Sequence, residues 1–119
     1  MKYVKVATTD ELSYGTMKKV EVDGESILLT NIDNSYYAIS NTCSHMGASL
    51  CEGKLEGTNI ICPKHKSVFD VTTGKVVSRG TLLFLKVKVN DLKRYNVKIN
   101  GADVLVEVDG ISIEKFVHI

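Results

Sequence analysis

The 119-residue chain has little of what would mark several large classes of protein. Its charge is nearly balanced, with Lys and Arg totalling 15 against 14 Asp and Glu for a net +1. It therefore lacks the basic excess that accompanies phosphate-backbone binding, and nucleic acid is not an expected partner. Long hydrophobic runs are missing. No aliphatic and aromatic run exceeds four residues, as in Leu82-Leu83-Phe84-Leu85, far below the roughly 20 apolar residues of a membrane-spanning helix. The opening Met1-Lys2-Tyr3-Val4-Lys5 has none of the apolar stretch of roughly 7–15 residues that a secretory signal requires. A soluble, cytoplasmic protein with no membrane partner is the expectation. Cysteine is scarce and odd in number, at three, which argues against a disulfide framework and for thiols kept free or on metal. The length allows one domain with one compact core and leaves no room for a second catalytic domain.

What is present reads as short strands. Val4 and Val6 flank Lys5, Val87 and Val89 alternate with Lys86 and Lys88, Val97 and Ile99 flank Lys98, and Val104, Val106 and Val108 enclose Leu105 and Glu107. A two-residue period puts one side chain set on each face of a half-buried strand. Asp23-Gly24, Asp33-Asn34, Asn100-Gly101 and Asp109-Gly110 lie between these segments and tolerate the positive φ of tight hairpins. The expected fold class is all-β, an antiparallel sandwich or barrel. Helix is expected only as one short turn from Thr9, with Thr8 or Thr9 as N-cap and Gly15 closing it.

Between Asn41 and about Arg79 the alternation weakens, while Gly47, Gly53, Gly57, Gly74 and the single proline, Pro63, appear. This is the pattern of a loop-rich insertion at residues 41–79 in a base formed by 1–40 and 80–119, the whole chain being one domain. All three cysteines and two of the three histidines lie in it. They form two pairs, Cys43-Ser44-His45 and Cys62-Pro63-Lys64-His65, with sixteen residues between His45 and Cys62. Each loop offers one thiolate and one imidazole, ligands that suit zinc, copper and iron–sulfur groups. Two such loops can close on one tetrahedral zinc ion, as in a structural or interaction module, or on a two-iron cluster.

The spacing Cys43-x-His45 and Cys62-Pro63-x-His65 resembles the Rieske [2Fe–2S] ferredoxin signature. The similarity extends to Asn41-Thr42, Gly47 and Phe69-Asp70-Val71-x-Thr73-Gly74. Tyr37-Ala38-Ile39 resembles the strand entering the first loop, and Leu92-Lys93-Arg94-Tyr95 the strand returning to the base. The resemblance implies one [2Fe–2S] cluster, with Cys43 and Cys62 on one iron and His45 and His65 on the other. It also implies a one-electron carrier between a flavoprotein reductase and a terminal oxygenase, rather than an enzyme. An oxygenase would need a further iron site of two histidines and a carboxylate, and only His118 remains outside the pairs.

Departures from the family refine the expectation. Respiratory Rieske proteins join the loops by a disulfide at positions that are Ala48 and Lys64 here, so the soluble branch is implied. Ser67 stands where that high-potential branch aims a hydroxyl at cluster sulfur, and Phe69 where it has tyrosine. With at most one such hydrogen bond, the potential is expected in the lower or middle part of the Rieske range of about −150 to +300 mV. Lys64 and Lys66 bracket His65, Lys66 at a position where glycine is common, and are candidates for docking an acidic partner. Cys51 reads as a small buried hydrophobe, and His118 as a surface or sheet-edge residue.

Overall fold

The computed structural model describes residues 2–44, 47–64, 66–82, 85–86 and 89–108. His45, His65, His118, Val87 and the Asp109-Gly110 turn lie outside the described residues. The chain is built from antiparallel strands: β1 (Lys2–Thr8), β2 (Met17–Val22), β3 (Glu25–Ile32), β4 (Ser35–Ser40), β5 (Lys54–Glu56), β6 (Asn59–Ile61), β7 (Val68–Asp70), β8 (Val76–Ser78), β9 (Thr81–Leu82), β10 (Leu85–Lys86), β11 (Arg94–Tyr95), β12 (Val97–Asn100) and β13 (Asp103–Val108). The expected all-β class is the observed one. Among the described residues no helix is long and apolar enough to cross a membrane.

Turn chemistry sets the registers. Asp23 and Gly24 take φ of 50° and 81° between β2 and β3, and Asp33 and Asn34 take 53° and 65° between β3 and β4. Two consecutive positive φ values give the hairpin twist that matches the strands, which is why Asp, Asn and Gly stand there. In the third hairpin Asn100 pairs with Asp103, so the turn falls on Gly101 and Ala102, one residue later than expected. Register is imposed by Val104 and Val106, both fully buried, since a one-residue slip would turn them to solvent. The expected helical turn is a 3-10 segment at Thr9–Glu11 that ends at Leu12 rather than Gly15, and a second, unexpected 3-10 turn lies at Leu50–Glu52. The Glu11 carboxylate accepts the Thr8 N–H at 2.7 Å, satisfying a donor that the turn leaves free.

Three sheets stack with the β11-β4-β3-β2 sheet in the middle. One face packs on the β1-β13-β12 sheet through Ile27, Leu29, Ala38, Val104, Val106 and Val108. The other carries Leu28 and Ile39, directly paired across β3 and β4, onto Leu50, Ile60, Phe69 and Val71 of the third layer. Burial on both faces explains why β3 reads Ile27-Leu28-Leu29 without alternation, all three at 0% exposure.

The third layer gives the loop-rich insertion a small sheet that the alternation did not reveal. It is a four-stranded antiparallel sheet in the order β5-β6-β7-β8, each strand only three residues long. Three residues hold barely one period of alternation, too few to stand out from a loop in sequence. The strand entering the first loop and the returning strand are β4 and β11, which pair as Arg94–Ile39 and Tyr95–Ala38.

Candidate metal centre

The first Cys/His loop leaves the end of β4 and is anchored before it turns. Asn41 N–H donates to the Ser26 carbonyl at 2.9 Å. The Asn41 side chain, almost fully buried, donates to Ser49 Oγ at 2.8 Å and accepts the Cys51 N–H at 2.9 Å. One amide therefore ties the two ends of the loop together. Within the loop Cys43 N–H donates to the Ala48 carbonyl at 2.8 Å and Gly47 N–H returns to the Cys43 carbonyl at 2.9 Å. Gly47 sits at φ 71°, a conformation that glycine adopts without strain.

The second loop joins β6 to β7. Cys62 N–H donates to the Ser67 carbonyl at 2.7 Å, closing Pro63 to Lys66 into a tight loop. Lys66, at φ 63°, takes the left-handed conformation that makes such closure possible; glycine at this position would take it freely. The Ser67 side chain is fully buried, and its hydroxyl donates to the Arg79 carbonyl at 2.7 Å. Phe69 is fully buried in β7, opposite Ile60, a core aromatic with no polar group to offer.

A third segment fastens the first loop and the turn between β7 and β8, and its residues carry no metal-ligand signature in the sequence. Ser44 Oγ donates to the Asn90 carbonyl at 2.7 Å and accepts the Asn90 N–H at 2.9 Å. Asp91 Oδ1 accepts the Val76 N–H at 2.8 Å, and Leu92 N–H donates to the Gly74 carbonyl at 2.7 Å. The Asp70-Val71-Thr72-Thr73-Gly74 motif makes the receiving turn. Asp70 Oδ1 accepts the Thr72 N–H and hydroxyl, and Gly74 at φ 81° approaches so closely that a Cβ there would lie 2.3 Å from the Leu92 carbonyl oxygen.

The two loops bring Cys43 and Cys62 together. Both thiols are free and buried, and they are hydrogen-bond neighbours against the wall of Leu28, Ile39, Ile60 and Phe69. Burial, with the neighbouring Cys43 thiol, pushes the Cys62 thiol up to about 11, while the Lys64 backbone N–H bonded to its sulfur opposes the rise. Without metal this thiol stays protonated at neutral pH, so a metal group must displace protons to bind. Paired soft donors in an apolar pocket, with a backbone N–H aimed at sulfur, fit the sulfur-bound side of an iron–sulfur group. Among the described residues no three His, Cys, Asp or Glu side chains converge; His45 and His65 lie outside them. Ala48 is buried and Lys64 exposed where an inter-loop disulfide would need cysteines. Cys51 is half-buried against the same core.

A sandwich base bearing two apposed loops with adjacent buried thiols fits the class of iron–sulfur proteins. Residues 2–83 match the family model of the Rieske [2Fe-2S] domain, and the chain belongs to that family. It is 33% identical over 107 residues, 90% of this chain and 96% of the relative, to the ferredoxin component of the naphthalene 1,2-dioxygenase/salicylate 5-hydroxylase systems of Ralstonia sp. Among solved structures, the ferredoxin of carbazole 1,9a-dioxygenase from Nocardioides aromaticivorans IC177 superposes with TM-score 0.76 at 36% identity, covering 89% of this chain and 97% of the other. A complex of reduced oxygenase and oxidised ferredoxin in carbazole 1,9a-dioxygenase matches with TM-score 0.75 at 30% identity, covering 87% and 91%. The chain is a Rieske-type ferredoxin whose cofactor is one [2Fe–2S] cluster, and the zinc alternative finds no support.

Proposed function

We propose that this protein is a soluble, cytoplasmic one-electron carrier that receives its electron from a flavoprotein reductase and delivers it to a terminal oxygenase. Cys43 and Cys62 are the proposed ligands of one iron, His45 and His65 of the other, in a cluster-binding part at residues 41–79 on a base of 1–40 and 80–119. The observation that carries the reading is the pair of free, buried, adjacent thiols at Cys43 and Cys62. The bound [2Fe–2S] group supplies the one-electron chemistry. The chain's own residues hold it: Asn41 and Ser67 lock the two loops, Ser44 ties the first to Asn90, and the apolar wall keeps water from the sulfurs.

The Ser67 hydroxyl serves as a fastener rather than a tuning donor, which together with Phe69 favours the lower part of the Rieske potential range. The relay is tested by stopped-flow mixing of the oxidised holoprotein with NADH and the flavoprotein reductase of a ferredoxin-dependent dioxygenase system, then with that system's oxidised oxygenase. Bleaching of the visible absorbance in the first step and its recovery in the second support the reading. A protein that dithionite bleaches but neither partner affects contradicts it.

A further inference from the structure

The near-neutral net charge conceals a strong asymmetry. From Cys62 to Lys88 the sequence holds six of its fifteen Lys and Arg but one of its fourteen Asp and Glu, so the remainder of the chain is net acidic. The single acid in that stretch, Asp70, has its Oδ1 engaged by Thr72. Asp91, just beyond it, accepts the Val76 N–H. Among the described residues neither makes an ion pair with a neighbouring cation.

Three of those cations stand beside the second ligand loop. Lys64 and Lys66 are exposed on it, and the bond from Ser67 Oγ to the Arg79 carbonyl holds the exposed Arg79 alongside. Among the described residues no carboxylate lies within ion-pair distance of any of the three, whereas Lys2, Lys5, Lys18, Lys19, Lys54 and Lys93 all have one. Two residues before Arg79, on the edge strand β8, Val77 is 56% exposed. Exposed apolar and charged residues together are the make-up of a transient protein interface. Lys66 adds a second kind of evidence. It holds a left-handed conformation at φ 63° that glycine would adopt without strain, and strain retained beside a functional site points to a role for the side chain itself.

We propose that Lys64, Lys66 and Arg79, grouped with Val77, form the docking surface for the acidic face of a protein redox partner. The proposal rests on the reading of the chain as a cluster-bearing carrier. The basic end of the molecule carries the candidate ligands, so the field turns that end toward an approaching acidic surface before contact and raises the encounter rate.

The test uses two redox proteins of opposite charge as probes. Dithionite-reduced holoprotein, freed of reductant, is mixed with oxidised cytochrome b5, which is acidic, or cytochrome c, which is basic, and haem reduction is followed. Ionic strength is raised from about 0.01 to about 0.1 M, over which the Debye length falls from about 30 to about 10 Å. Reduction of the acidic probe is expected to slow by about tenfold and that of the basic probe to quicken. The triple variant Lys64→Glu, Lys66→Glu, Arg79→Glu is expected to reverse both trends, and the milder glutamine triple to flatten them. A control triple on the base, Lys5→Glu, Lys19→Glu, Lys98→Glu, makes the same change in net charge and is expected to keep the wild-type trends. The proposal is overturned if both the glutamate and the glutamine triple at Lys64, Lys66 and Arg79 retain wild-type salt dependence, or if the base triple abolishes it equally. Failure of the carrier reading looks different: wild-type protein would then show no cluster absorbance before mixing.

Discussion

Ser67 and Arg79 are joined by a 2.7 Å hydrogen bond from a fully buried hydroxyl to a backbone carbonyl. The same serine's carbonyl receives the Cys62 N–H, so a single residue closes the second ligand loop and pins it to the segment after β8.

Replacing that hydroxyl separates structure from tuning. Ser67→Ala removes the hydrogen bond to the Arg79 carbonyl, and we expect a loss of about 0.5–1.5 kcal/mol in unfolding free energy with the midpoint potential unchanged. Chemical denaturation and spectroelectrochemistry on the same preparation check both halves. A potential that falls while stability holds would place the hydroxyl on cluster sulfur instead.

Lys66 gives the opposite expectation. A non-glycine residue in the left-handed region costs about 1–2 kcal/mol, and glycine returns part of that through its freer unfolded chain, about 0.5–1 kcal/mol. Lys66→Gly should therefore stabilise the protein by about 0.5–1 kcal/mol, whereas Lys66→Ala, which removes the charge and keeps the strain, should give no gain. Urea midpoints of the two variants decide the matter, and equal shifts would show that charge rather than φ matters at this position.

Two glycines of positive φ allow close approach to be weighed against strain. At Gly57, with φ 61°, an added Cβ would meet nothing within 4 Å, but at Gly74 it would stand 2.3 Å from the Leu92 carbonyl oxygen. Gly57→Ala should cost about 1–2 kcal/mol, the left-handed penalty alone. Gly74→Ala must in addition force the Leu92 backbone away, and it should cost more and speed amide exchange at Leu92, whose N–H is bonded to the Gly74 carbonyl. Equal losses would mean that the turn yields freely.

Asn41 is the corresponding lock of the first loop. Asn41→Ala strips the Cys51 N–H and Ser49 Oγ of their partner, an expected loss of about 1–3 kcal/mol for the orphaned buried donor. Loss of visible absorbance under a ferrous chelator should be faster than in wild type. Unchanged release would mean that the amide does not hold the loop closed.

Much of this was legible in the sequence for definite reasons. The Cys/His pairs stand out because matched ligand types at short spacing are rare by chance, and the Asp-Gly and Asp-Asn turns because few residues tolerate positive φ. The two-sided burial of β3 follows from the unbroken Ile27-Leu28-Leu29 run once a layer is known to lie on each face. Strands β5 to β8 escaped because three residues cannot display a period. The Ser44–Asn90 and Gly74–Leu92 contacts join residues 46 and 18 positions apart, each with a backbone group of the 90–92 segment as partner, and backbone groups are carried by every residue and shown by no side-chain pattern. Family resemblance places Ser67 by its position in the motif, but where its one proton goes depends on the Arg79 carbonyl, a neighbour twelve residues away.

The central claim is that Cys43, Cys62, His45 and His65 hold one Rieske cluster, and spin resonance of the purified holoprotein tests it most directly. Before dithionite the protein should be silent; after it, a signal should appear that carries nitrogen hyperfine coupling from bound imidazole, and that coupling should weaken in His45→Cys or His65→Cys. Iron and acid-labile sulfide should be present in equal amounts. A colourless protein containing zinc, or a reduced-state signal without nitrogen coupling, would contradict the account.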